Sequence, residues 1–159
     1  MTITISVTNP TPEVLEHLLA IASAPGATVS TVPDDRWTPE RARAYYDRLP
    51  PRARDILHAA VRKGGRVQVD EVRVEGKSLR GTTGPFRQVL REGARTDPPL
   101  WPAALPVPVR SVRVGAAVVA FDMIGGTDEE DPVMVFGKVL GFRVEGFRAD
   151  GTPVFSPAK

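Results

Sequence analysis

Arg87, Gln88 and Arg91 fall within five consecutive residues, and their side chains are of the types that read base-pair edges. An arginine can donate two hydrogen bonds to guanine in the major groove, and a glutamine can pair with adenine in the same two-pronged way. Thr82 and Thr83 stand just upstream. There a hydroxyl and the free N–H groups of a helix start can hold a phosphate. Lys77 and Arg80 before them and Arg95 after them add cations suited to a sugar-phosphate backbone. The candidate DNA-contacting set is therefore Lys77, Arg80, Thr82, Thr83, Arg87, Gln88, Arg91 and Arg95. For any one of these arginines alone, a solvent-facing position is the simpler account, so the surrounding elements have to decide.

The set works only if a helix presents it. Phe86, Val89 and Leu90 recur at helical spacing and define an inner face, which leaves Arg87, Gln88 and Arg91 on the opposite side. Thr82 or Thr83 is expected to cap this helix, with Pro85 in its first turn and Gly93 near its end. Two helices precede it. Thr38 caps and Pro39 starts the first, with Ala42, Tyr45, Tyr46 and Leu49 inward. Pro50 and Pro51 stop it and begin the second, where Ala53, Ile56, Leu57, Ala60 and Val61 form the stripe and Gly64-Gly65 the end. Residues 67–74 fit either a strand or a short helix seeded by Asp70 and Glu71, and 76–81 read as a turn. Trp37 reads as a core or staple residue at a helix start, and Trp101 as the anchor of the irregular, proline-rich passage 98–108.

Beyond that passage, 109–124 and 133–144 are β-rich, and 125–132 would join them as a hairpin whose long tip carries Asp128, Glu129, Glu130 and Asp131. Two helices, a turn, a third helix and a hairpin is the winged-helix order. Upstream, Ile3, Ile5 and Val7 alternate with polar residues as in a strand. Thr11 then caps a helix with Leu15, Leu18, Leu19 and Ala22 on one side, and 27–32 suits a second short strand. The expected fold class is α+β: a winged helix-turn-helix-like core with an N-terminal strand-helix unit and a C-terminal β-hairpin. The expected segments are 1–35, 36–109 and 110–159.

Charge is segregated along the chain. Residues 36–95 carry 15 Lys and Arg against seven Asp and Glu, a net of +8, and the remainder carries six against 12, a net of −6. A basic block of this kind is the electrostatic footprint of a protein that meets phosphates, and equally that of an arginine-rich solvated surface. The acidic tip opposes the first reading, because a wing lies along the phosphate backbone and four consecutive carboxylates would be repelled there. Arg110, Arg113, Lys138 and Arg143 on the expected strands can still touch DNA if the acidic loop points elsewhere, toward a protein partner.

The runs Trp37-Thr38-Pro39-Glu40-Arg41-Ala42, Leu49-Pro50-Pro51-Arg52-Ala53-Arg54 and Leu79-Arg80-Gly81-Thr82-Thr83-Gly84-Pro85 resemble those of a group of small actinobacterial proteins with a winged-helix-like domain of unknown function. The similarity spans Trp37 to about Val109 and implies the fold and a regulatory or nucleoid role, with no established target. The acidic hairpin tip departs from that group.

Catalysis finds little footing. His17 and His58 lie on separate helices, no serine stands in a strand-turn-helix nucleophile setting, and no glycine pattern matches a Walker loop or a dinucleotide fingerprint. With no cysteine, disulfides and thiolate zinc sites are excluded, and Asp128 to Asp131 lack the alternating oxygen ligands of a calcium loop. No metal and no cofactor is expected. There is no long apolar run, and Met1 to Val7 lack the basic start of a signal peptide. The expectation is a non-enzymatic, cytoplasmic, nucleoid-located protein that binds double-stranded DNA as a transcriptional regulator or nucleoid-associated protein. A homodimer is expected through the N-terminal strand. The alternative is a winged-helix-derived protein–protein interaction module without DNA binding.

Overall fold

The computed structural model describes residues 7, 11–26, 35–79, 81–124 and 128–157. The chain divides into two compact units, 1–32 and 33–159. Of the first, only α1 (Pro12–Ala22) is regular among the described residues. Thr11 caps it by accepting from the Val14 amide at 3.4 Å, and Pro12 opens it. None of its residues is buried. The strand expected over 2–8 lies outside the described residues except for Val7, which is exposed and not in a strand. The strand expected over 27–32 also lies outside them.

The second unit is mixed α+β. Thr38 caps α2 (Pro39–Arg48), its hydroxyl accepting from the Arg41 amide at 3.3 Å. The helix stops at Leu49 because the following proline drives that residue into extended backbone. Pro51 then opens α3 (Pro51–Arg62), and the chain leaves it through Gly64 and Gly65, both at positive φ. The ambiguous stretch 67–74 holds both of its candidate structures. Strand β1 (Arg66–Gln68) runs into the single turn α4 (Val69–Val72). Gln68 and Glu71 close a capping box there, and Glu71 also pairs with Lys63 at 2.9 Å.

Next comes α5 (Gly84–Ala94), then β2 (Val109–Val114) and β3 (Ala117–Met123). These strands form an antiparallel sheet in the order β1–β3–β2, with Val67 opposite Phe121 and Phe121 opposite Ser111. The chain ends with α6 (Pro132–Val139) and a two-stranded antiparallel ribbon of β4 (Phe142–Phe147) and β5 (Pro153–Pro157).

The C-terminal hairpin is the main correction to the sequence reading. Residues 109–123 fold back on themselves through the two-residue turn Gly115-Ala116, so the hairpin tip carries no carboxylate. Gly115, at φ +60°, supplies the left-handed backbone that such a turn needs. The acidic residues instead precede a helix. Asp131 is the N-cap of α6 and Pro132 its first residue, and Asp131 Oδ2 accepts from the Asp128 amide at 2.7 Å. Carboxylates are favoured beside the positive end of a helix dipole. Residues 133–139 are a short apolar run, which periodicity alone cannot assign to strand or helix. Lys138 therefore lies on a helix and not on a strand. The boundary expected at 109/110 falls inside β2, and β1 and β3, from either side of it, pair directly.

One core serves the unit. Trp37, Tyr45 and Phe136 pack ring against ring, with Trp37 5.1 Å from Tyr45 and 5.0 Å from Phe136 between centroids. Every apolar residue of the α3 stripe is buried, and so are Ala42 and Tyr45 of α2 and its C-cap Leu49. Tyr46 is only half-buried. Trp101 anchors the proline-rich passage, with its ring over Gly93, where an added Cβ would lie 2.0 Å from the indole Cζ2. An alanine inside a helix is ordinarily worth about 0.5–1 kcal/mol over glycine. Here Gly93→Ala is expected to destabilise the protein by about 1–3 kcal/mol through overpacking. Urea unfolding checks this, and a variant as stable as the parent would refute the contact.

Candidate nucleic-acid interface

The candidate residues divide between one helix and the loop before it. Phe86 and Val89 of α5 are buried and Leu90 is half-buried, so the inner face is the one the spacing defines. Arg87, Gln88, Arg91 and Arg95 are exposed on the outer side. At 1.5 Å rise per residue, Arg87 to Arg95 spans about 12 Å along the helix axis. Arg87, Arg91 and Arg95 make no ion pair with the described residues. Gln88 donates to Glu92 at 2.9 Å, and Glu92 is the one carboxylate on this helix.

Two buried polar tips fix the rotation of α5 about its axis. The Tyr45 hydroxyl donates to the Phe86 carbonyl at 2.8 Å, and Trp101 Nε1 donates to the Leu90 carbonyl at 2.7 Å. Both acceptors lie on the inner side of the helix, which faces the arginine ridge away from the core.

The loop residues behave differently from the expectation. Thr83 is the N-cap of α5, yet its side chain makes no capping hydrogen bond, because its backbone is helical and not extended. The Thr82 hydroxyl is used locally, donating to the Leu79 carbonyl at 2.7 Å. Arg80 lies outside the described residues. Lys77 is exposed. It lines a cleft of about 540 Å³ between residues 73–79 and 81–83 and the β2–β3 hairpin, together with Arg73, Thr82, Thr83, Ser111 and Arg113. Arg73 and Ser111 were missed by the sequence reading, and Arg113 entered it only as a strand cation. Placing the hairpin turn at Gly115 would have put Ser111 and Arg113 on one strand of it, whereas nothing local in the sequence brings Arg73 to them.

Several cations of the basic block are committed elsewhere. Arg41 is buried and donates to the Arg36 carbonyl at 2.7 Å. Arg54 donates to the Leu49 carbonyl at 2.9 Å, Arg48 to the Ala44 carbonyl at 3.0 Å, and Arg43 to the Val139 carbonyl at the end of α6. His58 is half-buried, with its ring 5.1 Å from that of Phe142, and His17 is exposed on α1. Among the described residues no group of three His, Cys, Asp or Glu is placed to hold a metal ion, and no helix is long and apolar enough to cross a membrane. Comparison with family models, curated proteins and solved structures gives no match.

Burial pushes the Tyr45 phenol far above its ordinary value. The unfolded chain would release that proton near pH 10 while the folded chain keeps it. The unfolded state then binds fewer protons above about pH 10, so the contribution of Tyr45 is complete below that pH and drains away as pH rises past it. Tyr45→Phe is expected to cost about 1 kcal/mol at neutral pH. It should also flatten the loss of stability above pH 10, as read by denaturant midpoints across that range. An equally steep loss in the variant would remove Tyr45 as the cause.

Proposed function

We propose that residues 33–159 form a winged-helix domain that binds double-stranded DNA through α5, in a transcriptional regulator or nucleoid-associated protein. The observation that carries this reading is the exposed ridge of Arg87, Gln88 and Arg91 on a helix whose inner face is fixed in the core. The element order α3–β1–α4–α5–β2–β3, with the antiparallel sheet order β1–β3–β2, supports it. So does the resemblance of the 37–42, 49–54 and 79–85 motifs to small actinobacterial proteins with a winged-helix-like domain. The corrected hairpin removes the electrostatic objection. Its tip is Val114-Gly115-Ala116-Ala117, and the single carboxylate on its strands, Asp122, pairs with Arg110 at 3.3 Å.

In this reading Arg87, Gln88 and Arg91 enter the major groove, and Arg95 meets the backbone at the far end of the helix. Binding should weaken steeply with salt as counterions are released. Replacing Arg87 and Arg91 together with alanine is expected to abolish retardation of a mixed-sequence duplex at low salt, with the unfolding midpoint unchanged because both side chains are exposed. Retardation equal to the parent's would end the assignment to α5.

One observation favours a second reading, a protein-interaction module. On α1, Leu15, Leu19 and Ile21 are about half exposed, at 48%, 59% and 58%. No mobility shift with any duplex, together with recovery of one specific protein partner, would support this reading over DNA binding.

A further inference from the structure

The cleft beside the start of α5 has a lining that the DNA-reading ridge does not explain. Three cations, Arg73, Lys77 and Arg113, face a space of about 540 Å³, and among the described residues no carboxylate lines it. That volume lies within the roughly 300–1,000 Å³ of small-ligand sites. The polar groups come from two separate parts of the chain, residues 73–79 and 81–83 before α5 and the β2–β3 hairpin, so the concavity exists only in the folded unit. Concave, single-sign surfaces focus potential onto whatever enters them.

The donors are available. The Lys77 amide donates to the Val74 carbonyl at 3.1 Å, but its side-chain ammonium has no hydrogen-bond or ion-pair partner among the described residues. Arg113 makes only a long contact, 3.5 Å, from Nη1 to the Ala116 carbonyl, which leaves most of its guanidinium N–H groups free. Arg73 is shared with Asp70 at 3.7 Å, a loose and largely exposed pair that an incoming anion can displace. The Thr83 and Ser111 hydroxyls make no hydrogen bond with the described residues, whereas that of Thr82 is already spent on the Leu79 carbonyl. Leu79, Ala117 and Val118 complete the lining with apolar surface that suits a sugar or a base. A second concavity, of about 490 Å³, sets Arg66 against Asp122 and Asp150 and has no such bias.

We propose that this cleft is a phosphate-binding site for a nucleotide unit, either one in a nucleic-acid backbone or one free in solution. A phosphate would be held between Lys77 and Arg113, with Thr83 and Ser111 donating to its oxygens and the apolar wall taking the sugar. Only the duplex arm of the test below rests on the DNA-binding reading.

The test uses the full chain, with amide shifts followed by NMR on titration with 5′-AMP, with adenosine as the uncharged control, and with a mixed-sequence duplex. AMP is expected to move the amides of Gly81, Thr83, Ser111 and Ala116, and adenosine is not. The double variant K77A/R113A should weaken AMP binding about tenfold or more, the loss of charge-assisted hydrogen bonds. Its slope of log affinity against log salt for the duplex should be shallower by about 2. If removing Arg113 disturbs the hairpin turn, K77A alone carries the test, with a slope change of about 1.

A response to both probes, to AMP alone or to duplex alone supports the site and names the source of the phosphate. AMP leaving those amides unmoved, with K77A/R113A matching the parent on duplex in affinity and slope, overturns it. That result combined with loss of duplex binding in the Arg87 and Arg91 double variant would leave the role of α5 standing. The reverse pattern would leave the cleft standing without it.

Discussion

The rotation of α5 about its own axis is the constraint on which the rest depends. A helix carrying two arginines, a glutamine and a glutamate presents a different surface for every turn about its axis. Here the angle is set by two rings with polar tips, Tyr45 on the Phe86 carbonyl and Trp101 on the Leu90 carbonyl. Both tips are desolvated unless they find these acceptors, and a buried donor without a partner costs about 1–3 kcal/mol. Gly93 lets the indole approach so closely that no side chain fits between them. Trp101 reaches this position from a passage without regular structure, so an irregular segment decides how a regular one is displayed.

The same economy governs charge. The basic block contains 15 Lys and Arg, but its members are not equivalent. Arg41, Arg43, Arg48 and Arg54 are tied to backbone carbonyls, and Lys63 to Glu71. These cations close helix ends and hold the α2–α3 corner. The cations without such ties include Lys77, Arg87, Arg91 and Arg95, which cluster along α5 and the loop before it. A net charge read along the chain cannot separate the two groups, because the acceptors that engage the four arginines of the first are carbonyls and carry no formal charge.

Much of the helical scaffold was legible in the sequence because its signals are local. Thr38-Pro39, Pro50-Pro51 and Gly64-Gly65 act through caps and fixed φ angles, and the stripes Ala53 to Val61 and Phe86 to Val89 report their own burial. The hairpin was not legible for the same reason in reverse. Gly115 is a single weak break in a run of β-formers, whereas 125–132 offers glycines and acids that resemble a tip. Asp131-Pro132 is a helix start, but the apolar run after it lacks the polar spacing that would have marked a helix. The outward residues of α5 followed directly from its stripe. The cleft did not, because Arg73 and Arg113 are 40 positions apart and meet only once the sheet has formed.

Strand β2 lies at the edge of its sheet, with one side of its backbone unpaired within it. Such an edge is a template onto which another chain can add a strand, the first step toward aggregation. Two features of the hairpin oppose this. Arg110 and Arg113 stand exposed along it, so identical edges meeting side by side would bring like charges together. The register breaks opposite Val112 and Arg113, where β3 carries the extra residue Val119, and a bulge there adds twist to the hairpin, away from the flat geometry that stacking needs. Arg113 therefore stands on the sheet edge as well as in the cleft, so one side chain serves both surfaces.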